Sequence, residues 1–203
     1  MHEALLLLRG VEADTLRLPA PAQVAARLAP EALPALAHAG GMAADLPDAL
    51  VTCGIEEAAR IVASLGGEVD AQASTVLAFT RHAVLPGRDA VRLYFGLRRL
   101  DRLGLADFHD YWLNRHADFG RRLIPPYTYH QLHADPGETT RLARPTGLSA
   151  STLDGVVEVH FPDVDALVRQ LSREDVAQGA LEDERHFIDH ARSQFWAYRE
   201  LAA

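Results

Sequence analysis

The chain has 203 residues, 48% hydrophobic and 24% charged, an ordinary globular composition for one medium domain or two small halves sharing a core. Its net charge of −8 argues against a nucleic-acid partner or an anionic membrane surface, both of which need a basic patch. All 20 basic residues are arginine, which excludes Schiff-base and pyridoxal-phosphate chemistry and the lysine-bearing phosphate loop.

In chain order, Glu3 to Arg9 is an apolar run that reads as a strand. It is too short for a signal or a span, and with the single cysteine, Cys53, it points to a cytoplasmic protein. The Ala- and Pro-rich stretch Pro19 to Pro47 suggests two short helices, Gln23 to Leu28 and Glu31 to His38, ended by Gly40-Gly41. Ala49 to Gly54 reads as a strand, Ile55 to Leu65 as a helix stopped by Gly66-Gly67, and Thr75 to His82 as a strand. Pro86-Gly87 is the clearest boundary, dividing 1–86 from 87–203.

Beyond it, Val91 to Arg98 alternates, with Arg92, Tyr94 and Gly96 on one face and Val91, Leu93, Phe95 and Leu97 on the other. Asp107 is a plausible N-cap for a helix to about Leu123, which Pro125-Pro126 blocks. Tyr127 to His133 is a strand, 135–151 a loop, and Val156 to Phe161 a strand. Asp163 caps a helix over Val164 to Leu171, Arg173 to Asp189 is helical, and Gln194 to Arg199 is the final strand. The order of the second half, β-α-β-loop-β-α-α-β, is the split βαβ, ferredoxin-like order. The expected fold is therefore α+β, with two ferredoxin-like halves in one chain, the N-terminal one degenerate.

Three segments are distinctive. They are Phe108 to His116, with a Tyr-Trp pair and a histidine four residues after the Trp; Asp154 to Phe161, followed by Asp163 and Ala166; and Asp183-Glu184-Arg185-His186-Phe187-Ile188-Asp189. In their order and spacing, over roughly Val91 to Arg199, they resemble the EthD family. The resemblance implies a dimeric α+β barrel, here closed within one chain as a pseudo-dimer, and a histidine of interest at His116. It implies no single chemistry, because such barrels include monooxygenases, cyclases, dehydratases and isomerases.

Read residue by residue, His109, Trp112 and His116 share one stripe of their helix. His116 is either a buried, hydrogen-bonded core histidine or an acid–base group beside a pocket between helix and sheet. On the strand after it, Tyr127, Tyr129, Gln131 and His133 take one face, and Thr128, His130 and Leu132 the other. His130 is the better catalytic candidate if its face is the helix-covered one. Glu158 and His160 share a face of their own strand. His186 and His190 have metal-compatible spacing but read better as a solvated helix face.

The expectation is an enzyme without metal or organic cofactor, of the lyase, dehydratase, cyclase or isomerase type. His116, His130 and His160 are its candidate catalytic residues. Tyr94, Tyr111, Trp112, Tyr127 and Tyr129 are candidate contacts to a hydrophobic or aromatic, oxygenated substrate. The alternatives are a monooxygenase of the same fold, cofactor-independent or haem-dependent, and a non-catalytic ligand-binding protein. A homodimer is compatible with the sequence.

Overall fold

A computed structural model of the chain describes residues 2–19, 21–33, 46–122 and 127–201. Eight strands close into an antiparallel barrel: β1 (His2–Leu8), β2 (Gln23–Arg27), β3 (Ala49–Gly54), β4 (Thr75–Leu85), β5 (Val91–Leu97), β6 (Thr128–Ala134), β8 (Gly155–Phe161) and β9 (Gln194–Glu200). The ring runs β1-β3-β2-β9-β5-β8-β6-β4 and returns to β1. The two-residue β7 (Ser149–Ala150) lies outside the ring, parallel to β4. Closure leaves no long edge among the eight strands.

The barrel explains why β1 is an unbroken leucine run. Leu5 and Leu7 point inward to a core shared with Leu50, Leu77, Phe79, Tyr94, Leu132, Trp196 and Tyr198. Ala4, Leu6 and Leu8 point outward to a second core under α1 (Ala58–Leu65) and α4 (Pro136–Thr146). A strand buried on both faces loses its polar alternation. A third cluster lies under α2 (Leu105–Tyr111), where Phe108 and Trp112 pack on Leu97, Phe187 and Ile188. One π-turn, Trp112–His116, joins α2 to α3 (Ala117–Arg121). α5 (Val164–Leu171) sets Ala166 and Leu167 against Val91 and Phe161, and α6 (Glu174–Glu184) follows it.

Three expectations about local structure are overturned. Gln23 to Arg27 is a strand rather than a helix, because its backbone is paired on both sides, to β3 and to β9. That pairing overrides the helical preference of Ala25 and Ala26. Residues 136–146 form α4 rather than a loop. Asp135 caps it by accepting from Glu138 N–H at 2.9 Å, Pro136 occupies the first turn, and Gly147 closes it at φ 68°. The long helix starts at Leu105, with Gly104 rather than Asp107 at its N-cap. Its expected end near Leu123 and Pro125-Pro126, like most of the expected helix over Glu31 to His38, lies outside the described residues. No described helix is long and apolar enough to cross a membrane.

Candidate active site

Because side chains alternate along a strand, one residue in two on each strand enters the barrel. At one mouth these residues are Glu3 (β1), Gln23 (β2), Arg81 (β4), Arg92 (β5), His130 (β6), Glu158 and His160 (β8) and Glu200 (β9). Cross-strand register places His130 opposite Glu158 and Arg92 opposite His160. With Gly87 and Arg88 from the β4–β5 turn, all but Glu200 line a cavity of about 150 Å³. Gly87 is required there: its φ is +147°, and a Cβ would lie 2.2 Å from Thr128 Oγ1.

Glu158 is the hub of the mouth. It is 1% exposed, and each oxygen accepts from a different guanidinium: Arg81 Nη1 at 2.6 Å and Arg92 Nη1 at 2.7 Å. Burial alone would raise its pKa, but Arg92, with help from Arg81, holds it well below the usual carboxylate range. Arg81 continues to Glu3 at 2.8 Å, Arg92 to Glu200, and Glu200 to Arg88 at 2.8 Å. Three arginines and three glutamates thus form one chain of ion pairs, mostly shielded from water.

The two histidines stand on this frame. His130 Nδ1 lies 3.1 Å from Arg81 Nη1, which can only donate, and 3.8 Å from Glu158. Nδ1 therefore accepts, and the ring proton is assigned to Nε2. His160 Nδ1 faces the carbonyl of Asp89 at 3.4 Å and donates to it, which leaves a lone pair on Nε2. That Nε2 is buried without a partner among the described residues, as is Arg92 Nε. Burial, reinforced by Arg92, lowers the His160 pKa to about 4, so the ring is unprotonated at neutral pH. Donor atoms of His130, Glu158 and His160 come within 4.8 Å of one another, a spacing a metal ion would accept. The chemistry fits poorly, since both Glu158 oxygens are engaged by guanidiniums and two fixed positive charges would repel a cation.

The other predicted residues lie elsewhere. The helix-covered face of β6 is that of Tyr129, Gln131 and His133, so His130 is on the interior face instead. His133 stacks on Trp112 and on His109, with ring centroids 4.8 and 4.3 Å away, and Gln131 donates to the Trp112 carbonyl. Tyr129 is buried, with its hydroxyl accepting from Gln131, and Tyr127 packs on Phe161. Tyr94 is buried inside the barrel against Tyr198. None of Tyr94, Tyr111, Trp112, Tyr127 and Tyr129 lines the mouth cavity.

His116 does not join His130 and His160, because the sheet separates them. His116 Nδ1 donates to Asp183 at 2.7 Å, and Tyr111 donates to the other Asp183 oxygen at 2.7 Å. Asp183 thereby fastens the π-turn helix to the end of α6. Neighbouring Glu184 accepts from His190 at 2.8 Å. His186, expected on a solvated face, is exposed. Cys53 is buried, and burial with nearby Glu57 and Glu3 pushes its thiol up to about 12, which makes it no nucleophile.

Sequence reading missed Arg81, Arg92 and Glu3 as site residues. Alternation already placed Arg92 opposite the apolar face of its strand. A charge at a position that must enter a barrel was the available signal, but it required knowing that the sheet closes.

No curated protein matches the chain. Residues 100–191 match the profile of the EthD domain, a stretch that holds Tyr111, His116, His130, His160 and Asp183. The three distinctive segments meet in space as well: Tyr111 and His116 bind Asp183, and His109 contacts the Asp154 carbonyl at 2.7 Å. Over residues 100–191 the chain therefore carries an EthD domain.

Proposed function

We propose that the protein is a small-molecule enzyme of the isomerase or lyase type, working by histidine acid–base chemistry at the barrel mouth. The observation that carries this reading is the pair of buried, unpartnered atoms His160 Nε2 and Arg92 Nε, an acceptor and a cationic donor on directly paired strand positions in one cavity. Buried polar atoms are nearly always satisfied, so two orphans in one pocket are best explained as groups awaiting a ligand.

His160 Nε2 takes a proton from a carbon next to a carbonyl. The electron pair of the broken C–H bond moves into the carbonyl, and the charge that collects on oxygen is met by Arg92 Nε–H. The protonated His160 then gives that proton back, either to a neighbouring carbon, giving an isomer, or to a departing hydroxyl, giving an alkene and water, while the neutral His130 orients the substrate oxygen through its Nε2–H. Arg81 sets the His130 tautomer. A histidine held at about 4 is present as the free base but is a weak one. The substrate class is therefore an activated carbon acid, such as a 1,3-dicarbonyl or a β-hydroxy ketone. The cavity of about 150 Å³ corresponds to roughly five water volumes at ~30 Å³ each, room for a small substrate or the reactive end of a larger one.

The same proposal takes the barrel as two ferredoxin-like halves, 1–86 and 87–203, duplicated in one chain. The strand order β4-β1-β3-β2 in the first half repeats as β9-β5-β8-β6 in the second. The halves join through β2–β9 and β4–β6, which are equivalent pairings under that correspondence. The single buried thiol suits a reducing, cytoplasmic compartment.

The test is hydrogen exchange in D2O. A panel of 1,3-dicarbonyl and β-hydroxy ketone compounds is incubated with the protein and followed by mass spectrometry. The wild type is expected to accelerate exchange of one or more of them, and His160→Gln to lower that rate by about 10²–10⁴ with an unchanged far-UV spectrum. Equal exchange by the two proteins would sink the assignment.

A further inference from the structure

The opposite mouth of the barrel holds a second cavity, of about 160 Å³. It lies at the other ends of the same strands, where Leu7 and Arg9 continue β1, Arg98 follows β5, and Gln194 begins β9. The two mouths have opposite electrostatic designs. The first is lined by arginines and glutamates together. The second is lined by Arg9, Arg98 and Arg192 with the polar side chains of Thr75, Ser151, Thr152 and Gln194, and by no carboxylate among the described residues.

The three arginines are not equally committed. Arg192 is held at the rim by Asp189 at 2.6 Å and Asp101 at 2.7 Å. Arg98 has only a 3.4 Å approach of its Nε to Asp154, too long and poorly aimed to count as a hydrogen bond. Asp154 is already occupied by Arg99, which binds it through both its backbone N–H and its guanidinium. The Arg98 guanidinium therefore makes no hydrogen bond to any described residue, although its side chain is only 25% exposed. A partly buried guanidinium whose donor fork has no hydrogen-bond partner among the described residues, facing a cavity that those residues line without a carboxylate, is the arrangement that recognises an oxyanion in a two-pronged way.

We propose that this second mouth is a binding site for a small oxyanion-bearing molecule, a carboxylate or phosphate ester, held by Arg98 with Arg9 and Arg192 around it and the hydroxyls of Ser151 and Thr152 as further donors. The volume suits a molecule of about the size of a four- to six-carbon acid, since a site of ~150 Å³ holds benzene. The site is separated from the acid–base mouth by the apolar barrel interior, so it stands independently of the catalytic reading.

Inorganic phosphate and succinate are the probes, each titrated into the full-length protein against sodium chloride at matched ionic strength. Melting temperature and the amide resonances of Ser151, Thr152 and Gln194 are followed. A saturable rise of about 5 °C or more at 100 times Kd is expected for at least one probe, with shifts centred on those resonances. Arg98→Gln is expected to weaken binding at least 10-fold, with Arg98→Lys intermediate and His160→Gln unchanged. The proposal is overturned by the absence of a saturable response to either probe, by an unaltered response in Arg98→Gln, or by shifts confined to the His130 and His160 rings. The resonance shifts are read in the wild type, so they decide the matter even if an Arg98 variant fails to fold.

Discussion

Glu158 shows how one residue combines structural and functional demands. It is buried with two guanidiniums, and taking these charges out of water is costly unless every lone pair and N–H is used. Replacing it with Gln keeps the shape but removes the shared central countercharge, leaving Arg81 only Glu3 and Arg92 only Glu200. Urea unfolding of Glu158→Gln is expected to show a loss of about 3–5 kcal/mol, the usual cost of removing one partner of a buried pair. His116 makes a contrasting case. Its bond to Asp183 ties helix to helix on the far side of the sheet from the cavity. His116→Ala is expected to destabilise the fold by about 1.5–3 kcal/mol, the worth of a hydrogen bond to a charged group. It should leave D2O exchange at the barrel mouth within about 3-fold of wild type, well short of the 10²-fold or greater loss set for an acid–base residue. Loss of exchange with intact stability would return His116 to the catalytic role that its motif suggests.

Among the elements, α2 and its π-turn carry the most information. A π-turn inserts one extra residue and re-aims the side chains after it. Here it allows Trp112 to lie on His133 while His116 still reaches Asp183. The helix sits close to the sheet because Gly155 leaves room for the indole. A Cβ there would be 2.5 Å from Trp112 and 2.9 Å from the Leu132 carbonyl. Gly155→Ala should therefore cost about 1–3 kcal/mol through overpacking, read as a lower urea midpoint together with a shifted tryptophan emission. The sequence showed this helix through its 3.6-residue stripe, but β2 and α4 were misread for physical reasons. The β2 segment is Ala-rich and is made a strand only by its two neighbours. The start of α4 combines Asp135, Pro136 and Glu138, a proper N-terminal signal, but Pro136-Gly137 reads equally well as a turn.

At the scale of the whole molecule, the outer face of the barrel should make the protein sensitive to acid. His82, His109 and His133 lie in a row, with centroids 4.3 Å apart on either side of His133, His109 stacked on it and His82 tilted against it. Burial, and then the neighbouring His109 and His82, lower the His133 pKa to about 2; burial also lowers His109 and His82. These groups are neutral when folded, and the unfolded chain takes up protons below about pH 6.5. Stability is thus complete above that pH and falls as the pH drops toward the folded values, by up to about 1.4 kcal/mol per pH unit for His133. Unfolding midpoints measured from pH 7 to pH 4 should show this slope, and His133→Leu should flatten it. A flat profile in the wild type would contradict the buried neutral stack.

What the sequence determined by itself was local or compositional: the leucine strand, the strand break at Pro86-Gly87, the Tyr111-to-His116 motif, the Asp163 cap and the absence of lysine chemistry. Each depends on neighbours a few residues apart. The tertiary structure alone decided which face of β6 meets the helix and whether His116 meets His130. Only closure of the barrel brings Arg81, Arg92 and Glu158, 77 residues apart at their widest, into one network. Alternation states that two sets of side chains face opposite ways; only closure of the sheet decides which set is inside.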